Sequence, residues 1–197
     1  MSLRRVERVA DFFDEARQLR LAYDAHFQRP FRQGDAAQIW NYWHVPGLYT
    51  YLRTGARRIL PESLLRRFVR RLEDWAFETL DARVSVSPPL LSIYVNGCRQ
   101  GFHNDRLNGD WGYVYSLTRW LERRFEGGET LLLRDEVFAG ETTAALTQSD
   151  LCLVVPPQWN QLLVFDDDII HGVEVVQGSM NPLDCRVVLH GHLRRRG

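Results

Sequence analysis

His103 and Asp105 stand two residues apart in the stretch GFHNDRLNGDW, Gly101 to Trp111. In a strand, residues i and i+2 share a face, so this imidazole and carboxylate can aim at one divalent metal ion. The pair alone is weak evidence. With 6 His and 14 Asp in 197 residues, about 0.4 such pairs arise by accident. A metal site needs a third ligand from elsewhere. His26 and His44 fall in the half of the chain that reads as helical. His171 opens the β-type run HGVEVV and is the better candidate. Two His and one carboxylate on one face of an octahedron leave positions open for a co-substrate and O₂, which suits non-haem Fe(II). Zinc more often takes a closed tetrahedral set, or three protein ligands and one water.

The last strand-like run, CRVVLHGHL, adds another group. Arg186, Val188, His190 and His192 fall on one of its faces. Turned inward, that face would bury a guanidinium, which is costly without a carboxylate partner. The planar fork of Arg suits a bidentate carboxylate. A dicarboxylate would match, one end on the metal and the other on Arg186. His190 and His192 form a His-x-His pair, but no further ligand set accompanies them. The acidic run Asp166–Asp168 reads as a solvated turn or as support for the distal histidine, ahead of a Ca²⁺ or Mg²⁺ site.

These side chains need elements to hold them. The first half reads as helical. From Arg5 to Tyr23, Val6, Val9, Phe13, Ala16 and Leu19 recur every three or four positions. PESLLRRFVRRLEDWAFETL predicts the clearest helix, with Pro61 at its start and an apolar stripe from Leu64 to Leu80. Between them, QIWNYWHVPGLYTYL is aromatic and less regular, and part of it is expected to border the cavity. After Asp81 come short β-type runs punctuated by Gly, Pro, Asn and Asp: LLSIYV, GYVYSLT, ETLLL, LCLVV, QLLVF, HGVEVV and CRVVLHGHL. The expectation is one α+β domain: a mainly helical part over residues 1–81, packed outside a sandwich, barrel or jelly roll over 82–197.

Composition removes several functions. All 25 basic residues are Arg. A chain without Lys has no Schiff-base lysine and no Walker-type phosphate lysine. The net charge of zero argues against a nucleic-acid partner, whose affinity rests on phosphate neutralisation. The Arg66, Arg67, Arg70 and Arg71 cluster reads as a solvated helix face, with Asp74 four residues after Arg70. Three widely spaced Cys (Cys98, Cys152 and Cys185) fit a reduced intracellular setting and act as small core hydrophobes. No signal peptide, membrane span or membrane partner is expected, and a cytoplasmic location is.

With these residues in place, the chain resembles the 2-oxoglutarate- and Fe(II)-dependent dioxygenases, most nearly the prolyl-hydroxylase-like group. The resemblance runs in order from about Leu90 to Leu193. LLSIYVNGCRQGFHNDRLNGD looks like that family's tyrosine, glycine turn and His-x-Asp sequence. FEGGETLLL looks like its Gly-Gly-Glu-Leu strand. VVPPQWNQLLVFDDDIIHGVEVV looks like its proline, Phe and distal-His stretch, and RVVLHGHL like its Arg-x-x-Leu-x-Gly-Trp ending.

The resemblance implies a double-stranded β-helix, or jelly-roll, core with the N-terminal helices on its outside. It implies His103, Asp105 and His171 as Fe(II) ligands, Arg186 as the anchor of the distal 2-oxoglutarate carboxylate, and Tyr94 as its hydrogen-bond partner. It also implies O₂-dependent hydroxylation of an unactivated C–H, coupled to conversion of 2-oxoglutarate to succinate. The chain departs from the pattern at His192, where the family often has Trp, and at Val188, where a hydroxyl residue is common. GYVYSLTRW is also altered, so neither Tyr113 nor Tyr115 is assigned to 2-oxoglutarate. Trp111, Tyr115 and His192 are expected to line the substrate space. A compact chain suits a small amino acid or natural-product intermediate, with a prolyl or peptidyl substrate as the alternative. A non-catalytic jelly-roll module that binds metal or a small acid is the competing class.

Overall fold

A computed structural model describes residues 5–28, 40–134 and 148–197. Its strands are β1 (Val6–Val9), β2 (Asn41–Val45), β3 (Tyr49–Gly55), β4 (Val84–Val86), β5 (Leu90–Tyr94), β6 (Arg99–His103), β7 (Trp111–Ser116), β8 (Thr130–Leu133), β9 (Cys152–Val155), β10 (Leu162–Asp166), β11 (His171–Val173) and β12 (Arg186–Arg195). They join in one sheet in the order β1-β10-β7-β12-β5-β3-β6-β11-β8-β9, with β2 on β3 and β4 on β12. Pairing is antiparallel throughout the described residues.

The sheet closes over itself. β10 and β11 are far apart in strand order, yet the rings of Phe165 and His171 lie 4.7 Å apart. Arg186 on β12 likewise reaches Thr130 on β8. Contacts between strands so far apart in the sheet order require curling, as in a jelly-roll core. Period-two alternation then sends one row of each strand into the interior and the other outward.

Helix α1 spans Ala16–Gln28 and α2 spans Glu62–Leu80, with a short α3 at Gln148–Leu151. Pro61 stands at the start of α2, and Asp81, at φ 49°, ends it with its N–H on the Ala76 carbonyl. Leu64, Leu65, Phe68, Leu72, Trp75, Ala76 and Leu80 form its buried row. Phe68 is fully buried, against Phe12, Phe13, Tyr113 and Tyr115. Truncating such a ring to Ala costs about 3–5 kcal/mol. No helix among the described residues is long and apolar enough to cross a membrane.

Two N-terminal expectations are corrected. Val6 and Val9 belong to a strand, not a helix. Val6 to Val9 pair with Phe165 to Leu162, satisfying the edge of β10, and Asp11 at φ 48° breaks the chain before α1. QIWNYWHVPGLYTYL is also more regular than expected. Its described part is the hairpin β2–β3, in register from Asn41↔Arg53 to Val45↔Tyr49 and turned at Gly47. The described part of the first 81 residues therefore holds α1 and α2 and three strands of the sheet.

Candidate active site

His103 ends β6 and His171 opens β11, and the two face each other in register. Asp105 follows two residues after β6, tied by its N–H to the Asp167 carbonyl at 2.9 Å. One ligand atom from each of His103, Asp105 and His171 lies within 4.8 Å of the others. The histidines are oriented in the same way. Nδ1 of His103 meets the Gly101 carbonyl at 2.8 Å, and Nδ1 of His171 meets the Ile169 carbonyl at 2.9 Å. A carbonyl only accepts, so each Nδ1 carries the hydrogen and each Nε2 is left for a ligand. The His171 Nε2 stands 3.5 Å from Asp105 Oδ2. Nitrogen lone pairs and a carboxylate oxygen converging in this way fit a divalent cation. Burial, with His171 nearby, lowers the pKa of His103 and favours its neutral form. Burial alone would raise Asp105, but His171, His103 and His192 outweigh it and hold the carboxyl at about 2.

Arg186, on the inward row of β12, is 1% exposed. Its guanidinium carbon lies 4.5 Å from the centre of the Tyr94 ring, within cation–π range. Nη2 donates to Thr130 Oγ1 at 3.1 Å. Nε and Nη1 are buried and have no hydrogen-bond partner. Leaving a buried donor unpaired is costly, so this edge of the fork fits a carboxylate of a bound molecule. Tyr94 is stacked on Tyr51 at 5.3 Å, and its hydroxyl donates to Gln100 Oε1 at 2.9 Å. Burial, partly opposed by Arg186, raises this phenol's pKa and keeps it protonated. The Gly127-Gly128 turn brings up Glu129 and Thr130. Gly127 sits at φ 72°, and a Cβ there would collide with the Val175 carbonyl.

The metal cluster and Arg186 line one cavity of about 220 Å³. Its wall continues through Trp43, Tyr49 and Tyr51 of the hairpin, and through Val188, His190 and His192 of β12. Trp40 instead packs on Phe27 of α1, and Tyr42 is exposed. His192 Nδ1 lies 3.0 Å from Asp167 Oδ2, and Ser92 Oγ lies 2.8 Å from His190 Nε2.

Two substrate-lining expectations are corrected. Tyr115 points to the helix side, its ring 4.8 Å from Phe68 and its hydroxyl on Asn160 Oδ1. Trp111 is buried outside the cavity, under Arg195. Gly112 and Val114 face the cavity on that strand, and Tyr113 between them also borders it. Gly112 makes room, since a Cβ there would lie 2.9 Å from Asp167 Oδ1. Sequence reasoning missed Gln100, Thr130 and Arg53, and it read the Asp166–Asp168 run only as a solvated turn or as support for the distal histidine, without the Asp167–His192 contact. Thr130 falls in FEGGETLLL and Gln100 in LLSIYVNGCRQGFHNDRLNGD, whereas Arg53 takes its place through Trp43 across the β2–β3 hairpin.

No protein-family model matches the chain, and no curated protein matches its sequence. Solved structures do share its fold. A prolyl-4-hydroxylase from Pseudomonas putida superposes with TM-score 0.67 at 16% identity, over 99% of this chain and 95% of that one. AviO1 from Streptomyces viridochromogenes Tue57 gives 0.63 at 16%, over 94% and 87%. The non-heme alpha-ketoglutarate-dependent epimerase SnoN from nogalamycin biosynthesis gives 0.60 at 13%, over 94% and 75%.

Proposed function

We propose that this chain is a 2-oxoglutarate- and Fe(II)-dependent oxygenase of the prolyl-hydroxylase-like group, acting on a small molecule such as an amino acid or natural-product intermediate. One observation carries the reading. A buried guanidinium with two unpartnered nitrogens opens into the same cavity as two histidines and a carboxylate that present free ligand atoms. A non-catalytic binding module would not need both.

His103, Asp105 and His171 would hold the iron, and Arg186 with Thr130 would hold the far carboxylate of 2-oxoglutarate. When bound, iron, 2-oxoglutarate and O₂ supply oxidation of an unactivated C–H, coupled to release of succinate and CO₂. The protein's part is placement. The carbonyls of Gly101 and Ile169 fix both imidazoles, and the Tyr94 ring supports the Arg186 fork. The aromatic hairpin wall limits water around the reacting carbon. The cavity, about 220 Å³, is below the usual 300–1,000 Å³ of drug-sized sites, which favours a small substrate. The fold shared with the Pseudomonas putida prolyl-4-hydroxylase supports a prolyl or peptidyl substrate as second reading.

The test is succinate formation against 2-oxoglutarate concentration at fixed Fe(II). Arg186→Ala should raise the apparent 2-oxoglutarate constant by roughly ten- to a few-hundred-fold, because charge-assisted hydrogen bonds are each worth about 1.5–3 kcal/mol. Arg186→Lys should recover only part, since a point charge lacks the fork. Metal affinity should hold in both. An unchanged constant in Arg186→Ala removes the co-substrate assignment. A wild-type protein that binds metal but forms no succinate, even uncoupled from substrate, points to the binding module.

A further inference from the structure

Arg53 has no role in the reading above, yet it lines the same cavity. It lies opposite Ser92 of β5 and Asn41 of β2, on the same face of β3 as Tyr51. Its guanidinium lies over the Trp43 ring, 3.8 Å from the centroid, and its one hydrogen bond among the described residues is long, Nη1 to the Tyr51 hydroxyl at 3.5 Å. Stacking uses the face of the guanidinium and leaves its N–H edge open. No carboxylate among the described residues pairs with it, whereas Arg20, Arg67, Arg119 and Arg196 each have one. Asp105, which lines the cavity, is committed to the histidine pair, and Asp167 to His192 of the cavity wall. The field of Arg53 reaches into the cavity. His190 is held neutral, near 3, by burial and then by Arg53 and Arg186.

We propose that Arg53, laid on Trp43 at the cavity wall, anchors a carboxylate of the prime substrate, whose apolar body lies along Tyr49 and Tyr51. This rests on the oxygenase reading for the word substrate, but the anion site stands on its own geometry. It selects small apolar or aromatic acids over their neutral counterparts. Arg186 is left to the co-substrate.

The experiment measures binding without turnover. The full chain is loaded with Co(II), kept anaerobic, and titrated calorimetrically with and without 2-oxoglutarate. The probes are phenylacetate, 3-phenylpropionate and 4-phenylbutyrate, each against its amide. At least one acid should bind wild type roughly ten- to a hundredfold more tightly than its amide, the scale of one charge-assisted contact. Arg53→Gln should abolish that preference, Arg53→Lys should keep part of it, and Arg186→Ala should keep it whole. The proposal is overturned if no acid is preferred in wild type, or if the preference follows Arg186. It is also overturned if Arg53→Gln weakens acid and amide alike, which would make Arg53 only a prop for the hairpin. Failure of the oxygenase reading looks different: wild type would neither bind 2-oxoglutarate nor form succinate, whatever the probes do.

Discussion

Two groups of ligand atoms share Asp105 and differ in what holds them. One is His103, Asp105 and His171; the other is Asp105, Asp167 and His192. In the first, each imidazole gives its Nδ1 hydrogen to a carbonyl two residues back on its own chain segment, Gly101 and Ile169. Each Nε2 is left facing the carboxylate. In the second, His192 turns Nδ1 onto both oxygens of Asp167, at 3.0 and 3.2 Å. Burial works against a charged His192, but Asp167 outweighs it and raises its pKa. The first group therefore presents ligand atoms that call for a cation, while the second neutralises itself. Closeness of three ligand atoms does not separate them; the hydrogen bonds made by each ring do.

The largest effect should come from removing an imidazole of the first group. His103→Ala or His171→Ala should weaken Co(II) or Fe(II) binding by more than ~100-fold, beyond the roughly 10–100-fold that loss of an outer partner costs. Far-UV dichroism should stay close to wild type, since His103 is only partly buried and neither ring is part of the apolar core. Calorimetric metal titration checks both. Wild-type affinity in these variants, with loss in His192→Ala instead, would reverse the assignment of the two groups.

A smaller effect is expected in the second group. Asp167 supports Asp105 through its backbone carbonyl and pins His192 through its side chain. Asp167→Asn keeps the backbone contact and the shape, and should weaken metal binding by only a few-fold, at most about the tenfold of an outer partner. His192→Ala should do the same. A loss as large as that of His171→Ala would mean that the second group holds the metal too.

The same contrast explains what the sequence revealed. His103 and Asp105 were legible because two ligands at i and i+2 need only a strand, and His171 because it opens a β-type run. Arg186 followed from period two and the cost of a buried charge. Trp111 and Tyr115 failed for the same reason in reverse. Alternation says that residues 111, 113 and 115 share a face, but not which face looks inward. Here Phe68 of α2 packs on Tyr113 and Tyr115, and of the three only Tyr113 also borders the cavity. Val6 to Val9 read as helix because the i, i+3 spacing of the two valines matches a helical period and not the period two of a strand, but pairing with β10 makes them a strand all the same. Arg53 was invisible because Trp43 meets it only after the hairpin folds, and the run Asp166–Asp168 suggested a supporting carboxylate but not that Asp167 would meet His192.

The smallest effect concerns two neighbours on the inward row of β12, which titrate in opposite directions. His192 is raised by Asp167, whereas His190 is lowered to about 3 by burial first, then by Arg53 and Arg186. A neutral His190 can share a hydrogen with Ser92 Oγ. In the unfolded chain the same ring titrates near its ordinary value of about 6.5. Below that pH the unfolded state takes up a proton that the folded state refuses, so protonation favours unfolding. The contribution of His190 is therefore fully present above about 6.5 and is lost progressively as pH falls toward 3. His190→Gln removes the titration and can keep a hydrogen bond to Ser92. Urea midpoints measured from pH 7.5 down to 4.5 should fall less steeply for His190→Gln than for wild type, with the curves drawing together as pH falls. Parallel curves would show that His190 accepts its proton in the folded protein as easily as in water, and that the field of the two arginines does not reach it.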